Sequence, residues 1–495
     1  MDITDDAATA YFDCPYKAYL TMCGEEGYES DYQLMVKESR GEFAARATDK
    51  LIREFGTIGS QSGVNIPPYD LHEGPSVLIG PTVKHGPFKF RLDALMREPI
   101  RNVASGSGYV PVLFTHESVV RKNHRLFLAF AGAVLGEIQN ARPVIGLIMY
   151  GDTCRRTRVN IASKYDREVS KALLDIREMA TEELKPQATL SRACSLCLFQ
   201  DRCVAEVTAR DDLSLLRGIS GKEIEGFHRK GIFTVNQLSY TFRPRRKRRR
   251  AAKSDSRHQY PLQAMAIRDQ KVYVLQKPNL PNPATRVYVD LEGGSNARHV
   301  YLVGALVVQS GESRMHSFWA DNDAEEVTAF EQLVNLLQSL DAPCVLHYGS
   351  YESCFFGRMM KGACAPTTCE PLDHSVNVLS AIYGSVYFPV YSNGLKEIGA
   401  FLGCSWSGPR PSGLQSLAWR KNWEQTSNAS IKQKLILYNQ DDCTGVLRIT
   451  DPVSEALLNE GNRRAILQEH LQQNLKSGHQ WGPHSRRRDV RQTAT

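Results

Sequence analysis

The run Val287-Tyr-Val-Asp-Leu-Glu292 constrains this chain more than any other stretch. Its β-branched and aromatic residues favour a strand, and the period of two puts Asp290 and Glu292 on one face. A second run, Tyr438-Asn-Gln-Asp-Asp442, lies far downstream in a segment with helical periodicity at Ile431 and Leu435. Four residues apart, Tyr438 and Asp442 share a helix face. Each run alone also fits solvated acids on a strand edge or a surface Tyr–Asp pair. Together they supply what phosphodiester cleavage needs. Two hard cations about 3.5–4 Å apart activate water and stabilise the leaving oxygen. Mg²⁺ and Mn²⁺ prefer carboxylate oxygens. Without a cation, clustered carboxylates repel one another.

The two runs resemble the first and third motifs of the DEDD 3′–5′ exonucleases, in the variant that carries Tyr. The resemblance implies an RNase H-like fold, two divalent metals held by Asp290, Glu292 and Asp442, and Tyr438 orienting the attacking water. Adjacent Asp441 is expected on another, solvated face. Residues 285–455 follow a β-β-(β)-α-β-α-α pattern. Val300-Tyr-Leu-Val-Gly-Ala-Leu-Val-Val reads as the second strand. A helix is expected next, with Asp323 as N-cap and Glu326 closing a capping box. It carries Val327, Phe330, Leu333, Leu336 and Leu337 on one face. After the strand Cys344-Val-Leu-His-Tyr, the family's second motif belongs where Tyr351-Glu352 stands. Glu in place of Asp keeps the charge on a longer arm, so Glu352 joins the expected metal set. Asp373 is a candidate supporting acid, and Lys396 a candidate contact for phosphate.

With 495 residues, the chain exceeds one ordinary core, so two or three domains are expected. Its 61 Lys and Arg against 54 Asp and Glu leave a net charge of +7. The block Arg243-Pro-Arg-Arg-Lys-Arg-Arg-Arg250 accounts for that excess: Arg243, Arg245, Arg246, Lys247, Arg248, Arg249 and Arg250. A positive charge so localised suits phosphate. It also fits a solvated linker or a nuclear signal. No signal peptide or membrane-spanning run is visible, so a cytoplasmic location and no membrane partner are expected. No Gly-rich phosphate loop appears. Twelve Cys without a secretory signal favour metal or reduced thiols over a disulfide framework.

Residues 1–210 carry Cys14-Pro-Tyr near the start and Cys194-Ser-Leu-Cys197, then Cys203, near the end. Thiolates in this pattern bind zinc or an iron–sulfur cluster. The layout resembles RecB-family nucleases with an iron–sulfur staple. That resemblance implies a 4Fe–4S cluster on Cys14, Cys194, Cys197 and Cys203, with Cys23 a spare. The family's nuclease residues are incomplete here. Asp93 fits the strand Asp, but Phe43 stands where a His belongs, and Val112 and Phe114 replace the Glu and Lys. Glu117, Lys122, His72 and Glu73 do not restore the spacing. An inactive RecB-like fold is expected.

Residues 211–241 read as a helix-hairpin-helix-like insert with two Gly-Ile turns, whose backbone N–H groups can hold phosphate. Residues 242–284 read as a basic linker containing one strand, Lys271-Val-Tyr-Val-Leu-Gln. Residues 456–495 read as a helical end and a disordered basic tail. The whole architecture resembles a prokaryotic family of RecB-like nucleases with a C-terminal exonuclease domain. The expected class is therefore α/β multidomain: a RecB/PD-(D/E)XK-like domain with an Fe–S staple, a small helical insert and an RNase H-like mixed-sheet domain. The implied activity is 3′–5′ exonuclease action on single-stranded DNA or RNA with Mg²⁺ or Mn²⁺. The rival expectations are a non-catalytic nucleic-acid-binding scaffold and a redox-gated factor.

Overall fold

The computed structural model describes residues 1–55, 59–60, 75–99, 107–243, 258–294, 299–361, 369–408 and 412–458. The chain divides into two units, Met1–Ala209 and Arg210–Thr495. Among the described residues no helix is long and apolar enough to cross a membrane.

The first unit is built on a six-stranded mixed sheet. Its spatial order is Gly59–Ser60, Val77–Ile79, Ala94–Pro99, Ser107–Thr115, Ile145–Tyr150 and Arg155–Asn160. Pleating sorts its side chains onto two faces. Ala94, Met96, Val110, Val112, Leu147 and Met149 cluster with Phe43, Ala47 and Leu51 of helix Asp31–Phe55. Leu95, Tyr109 and Ile148 cluster instead with helix Lys122–Ile138. That helix is apolar over most of its circumference, as a helix enclosed on several sides must be. Phe43 and Val112 are therefore core residues. Asp93 lies in the turn before strand Ala94–Pro99 rather than on a strand, and accepts a 2.7 Å hydrogen bond from the Phe114 N–H.

The second unit opens with two short helices, Gly221–His228 and Val235–Ser239, each started by a capping box, Ser220 with Glu223 and Thr234 with Gln237. Gly218 and Gly231, at the two expected turns, have positive φ, which favours glycine. From residue 258 the expected linker is instead structured. Helix Tyr260–Asp269 is tied down by Gln263, which donates to the carbonyls of Phe388 and Val390 at 2.6 Å each. The expected strand shrinks to Tyr273–Val274, paired with Val386–Tyr387. A ladder that short cannot be recognised by periodicity.

The remainder holds a five-stranded sheet, labelled here within the second unit. Its strands are β1 (Thr285–Gly293), β2 (Val300–Gln309), β3 (Glu312–Trp319), β4 (Cys344–His347) and β5 (Val376–Asn377). The spatial order is β3-β2-β1-β4-β5. The first three run antiparallel, while β4 pairs parallel with β1 and β5 parallel with β4. Helices α1 (Glu326–Gln338), α2 (Tyr351–Met359), α3 (Leu395–Phe401), α4 (Gly413–Thr426) and α5 (Ala429–Leu458) complete the site-bearing part. On β1, Val287, Val289 and Leu291 meet Ala329, Phe330, Leu333, Val334 and Leu337 of α1. Tyr288 faces the other way, toward Val446 and Ile449 of α5. Strand β2 is buried from Val300 to Val307, which explains its unbroken apolar run.

The Asp323–Glu326 capping box does not form. Asn322 caps a short 3₁₀ turn, Asp323–Glu325, that precedes α1. Glu326 is buried and accepts from the Val300 N–H at 2.6 Å and from the Arg358 guanidinium at 2.6 and 2.9 Å. Burial beside a cation outweighs an exposed cap, because Glu326 answers a backbone N–H at the start of β2 that would otherwise be orphaned.

Gly304 of β2 sits directly opposite Asp290 in the ladder. A Cβ there would overlap Asn439 Oδ1 and press on Cys443 Sγ, both from α5. Glycine thus lets the last helix approach the sheet beside the acids. Gly304→Ala should cost about 1–3 kcal/mol by overpacking, read as a lower denaturant midpoint. An unchanged midpoint would contradict the close helix–sheet contact.

Candidate metal centre

Two elements bring the site together. Strand β1 presents Asp290 and Glu292 on the face away from α1. Helix α5 presents Tyr438, Asn439 and Asp442 within its buried stripe of Leu435, Cys443, Val446 and Ile449. The spacing of that stripe is the three- and four-residue repeat of a core-facing helix. Oxygens of Asp290, Glu292 and Asp442 all lie within 4.8 Å of one another, the one such His/Cys/Asp/Glu group among the described residues. Glu292 and Asp442 are only 7% and 5% exposed, and Asp290 is partly buried.

Each carboxylate is held by a specific donor. Asn439 gives its amide to Asp290 Oδ2 at 2.8 Å and to the Asp290 carbonyl at 3.1 Å. Ser416 of α4 donates to Glu292 Oε2 at 2.7 Å. Trp406 donates its indole N–H to Asp442 Oδ1 at 2.6 Å. Lys396 of α3 reaches Asp442 Oδ2 at 3.3 Å and donates to the Tyr438 hydroxyl. Burial above all, then the neighbouring acids, pushes these carboxyls upward. Glu292 rises to about 8, through burial and then Asp442. Asp290 rises well above its ordinary range, through burial and then Asp442, Glu292 and Glu352. Asp442 also rises through burial, with Lys396 and Trp406 pulling against it. Burial, followed by the charges of Asp442, Glu292 and Asp290, raises the Tyr438 hydroxyl and keeps it a phenol.

The other expected residues fall differently. Glu352 is buried at the start of α2 but stands outside the close triad. Its Oε2 lies 3.4 Å from His347 Nδ1, and neither atom has a hydrogen bond. Its charge still reaches Asp290 and Glu292. Asp441 is half-buried on another face, where it accepts an exposed hydrogen bond from the Ser407 N–H at 2.6 Å and so holds the loop that carries Trp406. Asp373 is exposed and stands apart from the acidic group. Of the basic block, Arg243 is exposed, while Arg245, Arg246, Lys247, Arg248, Arg249 and Arg250 lie outside the described residues.

Asn439, Ser416 and Trp406 went unnoticed in the sequence. Asn439 was within reach of periodicity, since it lies four residues after Leu435 and three before Asp442. Ser416 and Trp406 carry no local signal.

In the first unit, Cys14, Cys194, Cys197 and Cys203 are all free thiols, and no three of them meet within 4.8 Å. A tetrahedral zinc site would need sulfurs roughly 3.8 Å apart, given Zn–S of about 2.3 Å. A preformed zinc geometry is therefore not present. Burial pushes the Cys203 thiol up to about 12, with contributions from Cys197, Cys194 and Cys14. The two cysteine-bearing segments are tied by protein contacts. Tyr16 donates to Glu206 at 2.6 Å, Arg202 pairs with Glu25 at 2.7 Å, and the Tyr28 N–H donates to the Leu198 carbonyl at 3.0 Å.

The mixed sheet and its buried acids describe an α/β domain with a carboxylate metal centre. A family model described as RNase_H superfamily matches residues 287–454. This part of the chain is an RNase H-like domain, and the match points to nuclease-type, metal-dependent phosphodiester chemistry. No curated protein matches the chain. RNase H-like nucleases use divalent metals such as Mg²⁺, and the acidic triad fits one. Its oxygens converge, its donors fix them, and hard cations favour such ligands.

The raised carboxyls set a pH dependence. Glu292 ordinarily titrates near 4.5 and in the fold near 8. Between those values the folded protein holds a proton that the unfolded chain releases. The contribution is full below the lower value and is lost as pH rises through the upper one. Metal-free protein should therefore melt at falling temperature across that window. Added Mg²⁺, which needs deprotonated ligands, should stabilise increasingly as pH rises. Melting curves with Mg²⁺ and with EDTA check both trends; a gap that does not change with pH would refute the linkage.

Proposed function

We propose that this protein is a metal-dependent nuclease that removes nucleotides from the 3′ end of single-stranded DNA or RNA. The observation that carries the proposal is the buried meeting of Asp290, Glu292 and Asp442 beside the Tyr438 hydroxyl, in an RNase H-like domain. Asp290, Glu292 and Asp442 would hold Mg²⁺ or Mn²⁺, with Glu352 as a supporting acid. When bound, the metal makes the attacking water more acidic and offsets charge on the leaving oxygen. Asn439 and Ser416 fix the Asp290 and Glu292 carboxylates, so their oxygens need little reorganisation. Tyr438, kept protonated, accepts from Lys396 and has its own proton left to orient the water. Burial of the group limits bulk water and strengthens each electrostatic contact. The basic block from Arg243 to Arg250 is proposed to collect the strand through its phosphates.

Labelled single strands of DNA and RNA, tagged at either end, test this directly. Wild type should shorten them stepwise from the 3′ end in Mn²⁺ or Mg²⁺. Asp290→Ala should lose at least about 100-fold in rate while binding remains. Equal cleavage by that variant refutes the site, and binding without cleavage by wild type favours the scaffold alternative.

For the first unit we propose a 4Fe–4S cluster on Cys14, Cys194, Cys197 and Cys203. The support is the four-cysteine spacing, the protein contacts joining the two segments, and the mutual charge effect at Cys203. A polynuclear cluster spans more space than one ion, so its ligands need not meet as closely as those of zinc. Protein purified without oxygen should contain about four iron atoms per chain, and Cys203→Ser should lose the iron and melt lower. Zinc or no metal in the anaerobic preparation would overturn the assignment.

A further inference from the structure

Both oxygens of Asp442 are already engaged. Oδ1 accepts from Trp406 at 2.6 Å, and Oδ2 is 3.3 Å from the Lys396 ammonium. Asp290 and Glu292 each give one oxygen to a neutral donor, Asn439 and Ser416 respectively. Positive charge inside the cluster therefore sits at its Asp442 end. Lys396 arrives there by construction. It is the second residue of α3, whose start is set by Gly394, with its N–H bonded to Ser392 Oγ at 2.9 Å. The preceding turn is held by Tyr348, which donates to the Asn393 carbonyl at 2.6 Å. The ammonium lies 4.3 Å from the centre of the Tyr438 ring and 6.0 Å from that of Trp406, within reach of cation–π attraction. Its side chain is 30% exposed, so a phosphate can reach it while it remains beside Asp442.

We propose that Lys396 is a built-in cation of this centre: its ammonium occupies the Asp442–Tyr438 end, so that the three carboxylates take up one divalent ion tightly rather than two. The three close carboxylates and the ammonium carry a net charge of about −2, which a single Mg²⁺ or Mn²⁺ matches, with Glu352 adding negative charge from outside the triad. A second divalent ion at the Asp442 end would have to displace the ammonium from Oδ2 and lie against it. In the reaction Lys396 would support charge on the phosphate and hold the Tyr438 oxygen; it moves no proton and forms no bond. The metal-binding half of the proposal stands without the nuclease function, and only its kinetic half rests on that function.

The experiment is a Mn²⁺ titration of the full chain, read by the electron paramagnetic resonance of free Mn²⁺. Uptake by an Asp290→Asn/Asp442→Asn variant is subtracted. Wild type should take up one tight equivalent at the carboxylates. Lys396→Met should bind Mn²⁺ about tenfold more tightly, or gain a second equivalent, because a cation a few ångströms from the metal has gone. Its kcat on single strands should fall about 100-fold with KM little changed, and Lys396→Arg should restore wild-type binding and part of kcat. Two equally tight equivalents in wild type, unmoved in Lys396→Met, would overturn the proposal. Weaker Mn²⁺ binding by Lys396→Met together with a lower melting temperature would also overturn it, leaving a structural role. The expected binding result with no cleavage by wild type would uphold the lysine assignment and refute the nuclease function.

Discussion

Everything in the second unit answers to one constraint, the burial of three like charges where a helix meets a sheet. Desolvation and mutual repulsion each disfavour ionised carboxylates there. The surroundings respond with donors from four separate elements: Asn439 from α5, Ser416 from α4, Lys396 from α3 and Trp406 from the loop before α4. These contacts offset only part of the cost, so the carboxyls still titrate high. A group that is uncomfortable without a cation and prearranged to receive one has the character of a metal centre rather than of a structural ion pair.

The same constraint shapes the scaffold. Helix α5 must be apolar enough to cover β1 and β2, yet it must deliver a hydroxyl, an amide and an acid into the contact. It does so by placing Tyr438, Asn439 and Asp442 within the stripe whose remaining members are Leu435, Cys443, Val446 and Ile449. Close approach is possible because β2 offers Gly304 opposite Asp290. Asp441, one step round the helix, then has its own use in anchoring Ser407 and the loop that brings Trp406. Adjacent acids in the sequence thus do different work, one toward the centre and one toward the loop that closes it.

The first unit shows the opposite outcome at a comparable place. Asp93 lies in the turn that enters its sheet, but Phe43 and Val112, where the resemblance would place further site residues, belong to the core. Burial raises Asp93 to about 6, and the Phe114 N–H holds its carboxylate. The charge of Asp5 adds to that rise, but among the described residues no third acid joins them to make a close group like that of the second unit. The cysteine-bearing ends of this unit are joined by side chains nearly two hundred positions apart, including Tyr16 with Glu206 at a separation of 190.

By itself the sequence determined which strand and which helix carry the acids, because alternation on β1 and the four-residue repeat on α5 are local properties of the chain. It also determined the long β2 strand, the turns at Gly218 and Gly231, and Phe330, Leu333 and Leu337 of the α1 core face, whose other members are Ala329 and Val334 rather than the half-buried Val327 and Leu336. What only the tertiary structure decided depends on residues that meet across long separations. The helix Tyr260–Asp269 looked like linker because its docking rests on Gln263 and two carbonyls more than a hundred residues away. Glu326 looked like a cap and became a buried brace for Val300 and Arg358. Lys396 looked like a contact for phosphate and lies against Asp442 and Tyr438. Periodicity reports which face a side chain occupies; it carries no information about what that face meets, and the meeting fixes charge, proton affinity and the room for a metal.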